Sequence, residues 1–304
     1  MKGFVLTLLL LFAVYQLKGQ AGWSWQRQSK VSVLFGIGSS SYYGELKESD
    51  FGIDLSGAFT AGVSYRYTDY ISLRGELTYY RISGADVDNG PESSLANRNL
   101  SFEANNFELS AQAVFNLSPE DIGYFEKPII NPIAFIGLGI TTQSAKAEIN
   151  GQKFGLRPLQ TEGVSYSPIA VVIPFGVGAK FNVGRNINIG IEAGYRYTFT
   201  DYLDDVSSVY VDNASFTDPI ARTLADRRPE IGLPLKQEGD KRGNPDVSDY
   251  YFIIGLKAEY NLVSAPNSTR GFSFKSRKYY TDKKAKRFRK KMKRQTNKRR
   301  KRRK

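Results

Sequence analysis

Two residue types, cysteine and histidine, are missing from this 304-residue sequence, and each absence excludes a class of chemistry. Without cysteine there are no disulfides, no thiolate nucleophiles and no cysteine-ligated zinc or iron–sulfur sites. Without histidine the commonest general base and metal ligand is absent. Most hydrolase triads and most transition-metal sites are therefore excluded. The sequence predicts a protein that is not an enzyme and that holds no cofactor.

Long apolar runs are also scarce. Residues 4–14 form one such run behind Met1 and Lys2, but a helix that crosses a bilayer needs about 20 residues. A short positive start, an apolar stretch and the small Gly19 are typical of a secretory signal peptide. We therefore predict a signal peptide over residues 1–19, with a buried N-terminal helix as the alternative.

Charge is divided unevenly along the chain. Residues 270–304 contain 20 Lys or Arg and one acid, Asp282, which gives a net charge of +19. Residues 1–269 contain 23 basic and 29 acidic residues, which gives −6. Because like charges in a block repel one another and stay solvated, residues 265–304 are predicted to be a disordered basic tail.

The tail needs its own explanation. Its most basic part comprises Lys283, Lys284, Lys286, Arg287, Arg289, Lys290, Lys291, Lys293 and Arg294. In a cytoplasmic protein such a segment would suggest nucleic-acid binding, but no nucleic acid is expected outside the cytoplasm. Candidate partners are anionic lipid headgroups, anionic envelope polymers or an acidic protein surface. The alternative is an appendage that only promotes solubility.

The body, residues 20–264, alternates apolar and polar side chains in eight segments, as β-strands do. Typical strands of soluble proteins have about 5–6 residues, whereas strands that cross a membrane need about 9–11. The clearest pair is a hairpin over residues 175–199 with a Gly/Asn turn. The predicted strands are residues 31–38, 59–67, 71–79, 107–117, 132–147, 175–182, 187–199 and 250–262.

The connections between these segments alternate in length. The first, third, fifth and seventh are longer than the second, fourth and sixth, as in outer-membrane barrels with an even number of strands. We predict the all-β fold class: an eight-stranded antiparallel up-and-down transmembrane β-barrel in the outer membrane, with its C-terminus in the periplasm. In a soluble lipocalin-like barrel, which is the alternative, the apolar face is inside and the polar face outside. Alternation alone does not say which face is outside.

In a transmembrane barrel the charged face lines the lumen, which for eight strands is just wide enough for side chains. That face carries five cations and four carboxylates, which can pair, whereas an unpaired buried ion costs several kcal/mol. The predicted lumen charge network comprises Arg66, Arg74, Glu76, Glu108, Lys180, Glu192, Arg196, Lys257 and Glu259.

Three carboxylates cluster in TFTDYLDDVS, residues 198–207. Calcium favours such clusters, but the spacing matches no EF-hand loop. A turn capped by aspartate side chains, which ties the seventh strand to the long loop, explains the motif better. We therefore predict no metal site.

This motif, the preceding GYRYTF, the SYYGEL of residues 41–46 and the RGNP of residues 242–245 resemble the PorG family, small outer-membrane barrels of the type IX secretion system of Bacteroidota. The resemblance covers residues 30–262 and implies a non-enzymatic barrel that associates with the periplasmic ring proteins PorK and PorN. The basic tail is longer than the family pattern. The alternative is a small porin-like or adhesin-type barrel whose loop 200–248 binds a ligand. The motif residues are Thr200, Asp201, Tyr202, Leu203, Asp204 and Asp205.

Overall fold

The computed structural model describes residues 28–44, 46, 56–90, 93, 95–120, 128–184, 186–246 and 248–263. The predicted signal peptide and the basic tail lie outside the described residues. The described strands are β1 (Gln28–Tyr43), β2 (Ser56–Arg66), β3 (Ile71–Ala85), β4 (Ser101–Asn116), β5 (Ile130–Thr142), β6 (Ala145–Ile149), β7 (Gln152–Gly155), β8 (Ile169–Asn182), β9 (Ile187–Thr198) and β10 (Tyr250–Val263).

Eight of these strands form a closed antiparallel barrel. Strands β1 to β5 pair in chain order, β5 pairs with β8, and β8 to β10 again pair in order. β10 closes the sheet on β1, with Tyr43 opposite Tyr250 and Ser32 opposite Asn261. The predicted all-β barrel is thereby confirmed. Closure satisfies the strand edges that an open sheet would leave unpaired.

The apolar face of the strands is the outer face. In β4, Phe107 and Leu109 are 51% and 57% exposed, whereas Glu108 between them is fully buried. The same contrast separates exposed Phe35 from buried Leu34 in β1. An apolar outer surface around a charged interior is the arrangement of a membrane barrel, and it is the reverse of a soluble barrel.

Aromatic rings mark one limit of this apolar surface. Phe59, Tyr79 and Phe107 lie side by side on the outside of β2, β3 and β4, with successive ring centroids 6.3 and 5.3 Å apart. Beyond them, Arg81 and Glu103 form an exposed ion pair of 2.8 Å. Because aromatic girdles separate lipid from water in such barrels, the strand ends beyond these rings stand clear of the hydrocarbon.

Several predicted strand boundaries were wrong; β8, for example, begins at Ile169, six residues before the predicted Phe175. The fifth strand ends at Thr142 and not near Ala147, because the chain turns where Ser144 Oγ donates a 2.8 Å hydrogen bond to Asn106 Oδ1. The following residues form β6, which pairs with both β4 and β7. β7 therefore lies in what was predicted to be a loop. β4 also begins six residues before the predicted Phe107, because β3 and β4 continue together beyond the membrane.

The two ends of the barrel differ. The loop end carries the connections 44–55, 86–100, 143–168 and 199–249, and the turn end carries 67–70, 117–129 and 183–186. The described parts of segments 86–100, 143–168 and 199–249 share one apolar core with the inner faces of the strands, and we call these three segments the cap. The cap includes helix α1 (Pro219–Ala225). Within the described ranges, no helix is long and apolar enough to cross a bilayer.

Candidate functional site

A charged group occupies the middle of the lumen. Arg74 pairs with Glu192 through two hydrogen bonds, with Nη1–Oε1 and Nη2–Oε2 distances of 2.7 and 3.0 Å. The Arg74 Nε lies 3.2 Å from Glu76, and Lys257 lies 2.5 Å from Glu76 and 2.9 Å from Glu192. Gln112 accepts from Arg74 at 2.7 Å and donates to Glu76 at 3.0 Å. Two cations thus compensate two carboxylates away from water.

A second charged group lies nearer the turn end. Lys180 Nζ lies 2.9 Å from Glu120 and 3.2 Å from Glu259. Each carboxylate also accepts a hydrogen bond from a serine hydroxyl: Ser72 donates to Glu120 at 3.0 Å, and Ser32 donates to Glu259 at 2.5 Å. Each carboxylate therefore has a charged and a neutral partner.

Glu120 is a lumen residue that sequence reasoning missed, because it follows β4 in a connection without alternation. The imbalance of five predicted cations against four carboxylates was the available signal, and Glu120 supplies the fifth carboxylate. Arg66 also lies near Glu120: its side chain is half-buried, with Nη1 3.5 Å from the Glu120 main-chain oxygen.

The third group lies towards the loop end. Arg196 Nε is 3.4 Å from Glu108, which also accepts a 2.8 Å hydrogen bond from Tyr251. Tyr80 stacks on Tyr251 with ring centroids 4.4 Å apart, and its hydroxyl lies 2.6 Å from that of Thr141. The nine predicted lumen residues therefore all face inward, but they form three groups along the barrel axis.

An apolar wedge lies beside these charges. Phe135 of β5 is 4% exposed, and the guanidinium carbon of Arg74 lies 5.2 Å from its ring centroid, a cation–π contact. Glycines on the facing strands make room for the ring: a Cβ at Gly176 or Gly194 would lie 2.7 or 2.6 Å from it. Cavities in this part of the lumen measure about 20 and 10 Å³, room for about one water each. Side chains thus fill the middle of the barrel.

Replacing Gly176 with alanine is expected to lower the free energy of unfolding by about 1–3 kcal/mol, the usual effect of overpacking. The new Cβ would lie 2.3 Å from the Ala193 carbonyl oxygen and 2.5 Å from the Gly194 Cα. Gly75→Ala is the matched control, because nothing lies within 4 Å of a Cβ on its outer face. Urea unfolding in detergent micelles, followed by gel migration of folded and unfolded barrel, measures both. Equal unfolding midpoints would contradict the close approach.

The motif residues 200–205 lie at the base of the cap. Leu203 and Asp204 are buried in it. The Tyr42 hydroxyl lies 2.7 Å from Asp204 and 2.8 Å from Asp249, and Asp249 also accepts from the Leu203 main chain at 2.9 Å. Asp204 caps its own turn by accepting from the Val206 main chain at 2.9 Å. This geometry fits the capped turn and leaves Asp204 little contact with solvent.

Asp205 joins two segments of the cap. Its backbone φ of 72° lies in the left-handed region, which aspartate and asparagine enter more readily than most residues. Its carboxylate accepts hydrogen bonds from Thr161 at 2.5 Å and from Tyr166 at 2.6 Å. Tyr202 stacks on Tyr166 with ring centroids 4.7 Å apart. The motif therefore ties the segment 199–249 to the segment 143–168.

Two buried ion pairs hold the cap. Arg242, the first residue of RGNP, pairs with Glu162 at 2.8 Å, and both side chains are 2% exposed. Arg242 also donates to the Asp205 main-chain oxygen at 2.7 Å. Arg98 pairs with Asp86 at 2.6 Å and donates to the Arg242 main-chain oxygen at 2.5 Å. These contacts connect all three cap segments.

Burial raises the pKa of Asp205 to about 6, although the nearby Arg242 and the hydrogen bonds from Thr161 and Tyr166 act in the opposite direction. Glu162 adds to the increase through repulsion. Burial also raises the pKa of Asp86 in spite of its pairing with Arg98. The cap therefore favours the protonated form of both acids more than water does.

The cap is expected to resist proteolysis better at pH 5 than at pH 7.5. The pKa of Asp205 rises from 3.8 to about 6 on folding, so the folded cap binds the proton more tightly, and stability grows as pH falls from about 6 towards 4. The gain at pH 5 is on the order of 1–2 kcal/mol. Asp205→Asn keeps the left-handed preference and resembles the neutral acid, so it should remove most of the pH dependence. Proteinase K cleavage rates, taken as the ratio of wild type to variant at each pH, measure the effect. A ratio that does not change with pH would contradict the prediction.

Within the described ranges, no three Asp or Glu side chains are arranged to hold a metal ion. The tail residues from Lys283 to Arg294 lie outside the described residues.

A polar recess opens at the turn end, below the Lys180 group. Serine, asparagine and charged side chains dominate its lining, with two prolines and no aromatic ring. We call it the turn-end recess; its lining includes Lys30, Ser64, Arg66, Asn182, Asn188 and Asn261.

Comparison with known protein families gives a match over most of the chain. The family model for the outer membrane protein beta-barrel domain matches residues 4–217. No curated protein matches the chain.

Solved structures give weaker likenesses. Neisserial surface protein A is 10% identical, with 77% of this chain and 98% of that chain covered and a TM-score of 0.39. The barrel domain of Pseudomonas aeruginosa OprF is 9% identical, with coverages of 78% and 100% and a TM-score of 0.37. The attachment invasion locus protein Ail of Yersinia pestis is 16% identical, with coverages of 77% and 99% and a TM-score of 0.35. At these values the likenesses carry no functional information.

Proposed function

Since the chain belongs to the outer membrane protein beta-barrel domain family, we propose that it is a non-enzymatic component of the type IX protein secretion machinery that holds the periplasmic PorK and PorN ring at the outer membrane. The filled lumen carries this proposal. A barrel closed by paired charges and by Phe135, and overlain by a cap, acts through its surfaces and not as a channel. The similarity of residues 200–207 to the PorG family supports the choice of partner.

In this proposal the turn end faces the periplasm. Support comes from the general rule that bacterial barrels place their short turns on that side. β1 begins and β10 ends at the turn end, so the segments that precede Gln28 and follow Val263 would continue from the side of the ring. The charge of +19 over residues 270–304 suits an acidic ring surface, anionic lipid headgroups or anionic envelope polymers.

Purification from detergent-solubilised outer membranes tests the proposal. An affinity tag fits best in the β6–β7 hairpin, between Asn150 and Gly151, because both residues are exposed. A tag in 199–249 risks opening the cap, where Leu203 and Val206 are buried. We expect the ring proteins to copurify at low salt. High salt or removal of residues 270–304 should reduce their yield at least tenfold, since charge pairing is screened by salt.

Two outcomes separate the barrel from its tail. If the ring proteins copurify equally well with and without residues 270–304, the barrel binds the ring and the tail has no part in that binding. The proposal would be overturned by two results together: the purified barrel carries no ring proteins, and a strain that lacks the gene still secretes its proteins.

A second function is favoured by one observation at the cap. An open groove there is lined by Asp212, Arg222, Leu235 and Lys236, which would suit an adhesin-type barrel that binds an external ligand. The filled lumen counts against the porin-like form of this alternative. Binding of the tagged protein to host or matrix components, lost on Arg222→Ala and Lys236→Ala, would favour it.

A further inference from the structure

Three cations lie close together on the outer wall of the barrel at the loop end. Glu103 of β4 pairs with two of them: Arg81 Nη2 lies 2.8 Å from Glu103 Oε2, and Lys153 of β7 binds the other carboxylate oxygen. Lys146 of β6 lies directly opposite Glu103 in the strand register. It is exposed, and among the described residues it has no ion-pair partner. We call Arg81, Lys146 and Lys153 the wall cations.

The wall cations remain accessible to a ligand. The side chains of Arg81 and Lys153 are 50% and 46% exposed although both pair with Glu103. A guanidinium has five N–H donors and an ammonium has three, so one shared carboxylate leaves most of them for other acceptors. A second acid, Glu148, lies opposite Lys153 in the hairpin and two residues farther from the membrane than Lys146. Among the described residues of this wall, the cations therefore outnumber the acids.

The wall cations lie at the height of lipid headgroups. Arg81 lies two residues beyond Tyr79, and Glu103 lies four residues beyond Phe107, where the rings mark the limit of the hydrocarbon. With about 3.4 Å per residue and a strand tilt of about 40°, these two positions stand about 5 and 10 Å above the rings. The headgroup layer on each side of a bilayer is about 5–8 Å thick, and long cationic side chains reach back towards it.

The wall below the rings is apolar. Leu77 and Leu109 lie opposite each other in β3 and β4 and are 51% and 57% exposed. Ile140 of β5 lies on the other side of Leu109 and is 45% exposed. An acyl chain can lie against this surface while an anionic headgroup meets the cations above it. A soluble anion would contact only the cations, so the combination favours a lipid.

The three side chains suit a phosphate. Arginine binds phosphate through paired N–H groups, and lysine binds it as a point charge. We propose that the wall cations bind the phosphate group of a membrane lipid whose acyl chains lie against the outer face of β3 and β4. The phosphate competes with Glu103 for Arg81 and Lys153. This inference concerns the outer wall and is independent of the secretion role and of the basic tail.

Photo-crosslinking of the full-length protein in phosphatidylcholine nanodiscs tests the inference. The probe is phosphatidic acid with a diazirine in its acyl chain close to the glycerol. The control is the matching diacylglycerol, which lacks the phosphate. Mass spectrometry locates each crosslink, which separates the outer wall from the basic tail. We expect crosslinks in residues 77–83 and 103–109, at least tenfold stronger with the probe than with the control.

Two variants change the charge of the wall in opposite directions. Arg81→Gln with Lys146→Gln and Lys153→Gln should lower these crosslinks at least tenfold. Glu103→Gln removes the competing carboxylate and should raise them at least twofold. Because the side chains are at the surface and outside the hydrocarbon, both variants should fold, and gel migration of the unheated barrel verifies it.

A matched control removes three exposed cations elsewhere on the cap. Arg222→Gln with Lys236→Gln and Lys241→Gln changes the net charge by the same amount and should leave the wall crosslinks within twofold. The inference is overturned by crosslinks confined to residues 265–304, by equal crosslinking of the diacylglycerol, by an equal loss in both triple variants, or by no gain on Glu103→Gln.

Inorganic phosphate distinguishes a lipid site from a site for a free anion. At an ionic strength matched with sodium chloride, it should lower the wall crosslinks less than twofold, since it has no acyl chain to lie against the barrel. A tenfold loss would assign the wall cations to soluble phosphate and overturn the inference. No ring protein is present, so failure here leaves the secretion role in place, and failure of ring copurification leaves the lipid site in place.

Discussion

Replacing Arg74 with methionine is expected to lower the free energy of unfolding of the barrel by about 3–5 kcal/mol, the cost of breaking a buried ion pair. Arg74 makes two hydrogen bonds to Glu192 and lies 3.2 Å from Glu76. Without it, Lys257 alone would compensate two buried carboxylates. The loss comes less from the missing contact than from the charge that remains.

A second substitution and a control test that explanation. Adding Glu192→Gln to Arg74→Met removes one orphaned carboxylate and should recover at least about 1 kcal/mol, a coupling typical of residues in one network. Arg81→Met breaks the ion pair to Glu103 on the outer surface, where the Arg81 side chain is 50% exposed. It should change stability by less than about 1 kcal/mol. Urea unfolding in micelles gives all three values. A double variant less stable than Arg74→Met would show that the orphaned charge is not the cause.

Replacing Arg242 with alanine is expected to open the cap while the barrel stays folded. Arg242 pairs with Glu162 at 2.8 Å and donates to the main chain of Asp205 at 2.7 Å, so its loss leaves Glu162 buried without its cation. The cost of about 3–5 kcal/mol falls on the cap alone. Cleavage within residues 199–249 by proteinase K should accelerate at least about a hundredfold, because local opening sets the rate.

Lys241→Ala is the matched control for this experiment. Lys241 is the neighbouring residue and is exposed, whereas Arg242 is 3% exposed. Its loss should leave the cleavage rate within about twofold, as for most surface substitutions. Gel migration of the unheated barrel should be the same for both variants. Loss of the folded band in Arg242→Ala would mean that cap and barrel unfold together.

The alternation of side chains predicted the barrel because it has one physical cause. In β4, Phe107 and Leu109 face lipid and Glu108 faces the lumen, so neighbouring residues record opposite environments. The alternation does not indicate where a strand ends. Ala147 continues the alternation of β5 after the chain has turned at Gln143 and Ser144, so the pattern gave no reason to end the strand at Thr142.

The cap could not be predicted from local sequence. Asp204 and Asp205 have the polarity of surface residues, and they are buried because Tyr42, Thr161 and Tyr166 reach them from other parts of the chain. These partners are separated from the motif by 39 to 162 positions. Glu120 was missed for a related reason, since its partner Lys180 lies 60 positions away.

The lumen charges also favour one register when β10 pairs with β1. In the observed register Lys257 lies opposite Gly36 and Glu259 opposite Leu34, and both charges face inward. A slip of one residue would turn them towards lipid, where a lysine near the midplane costs about 2–4 kcal/mol. It would also break the ion pairs of Lys257 with Glu76 and Glu192 and leave both carboxylates without that cation. A misaligned closure is therefore penalised on both faces of the wall, and only the correct alignment joins the first strand to the last.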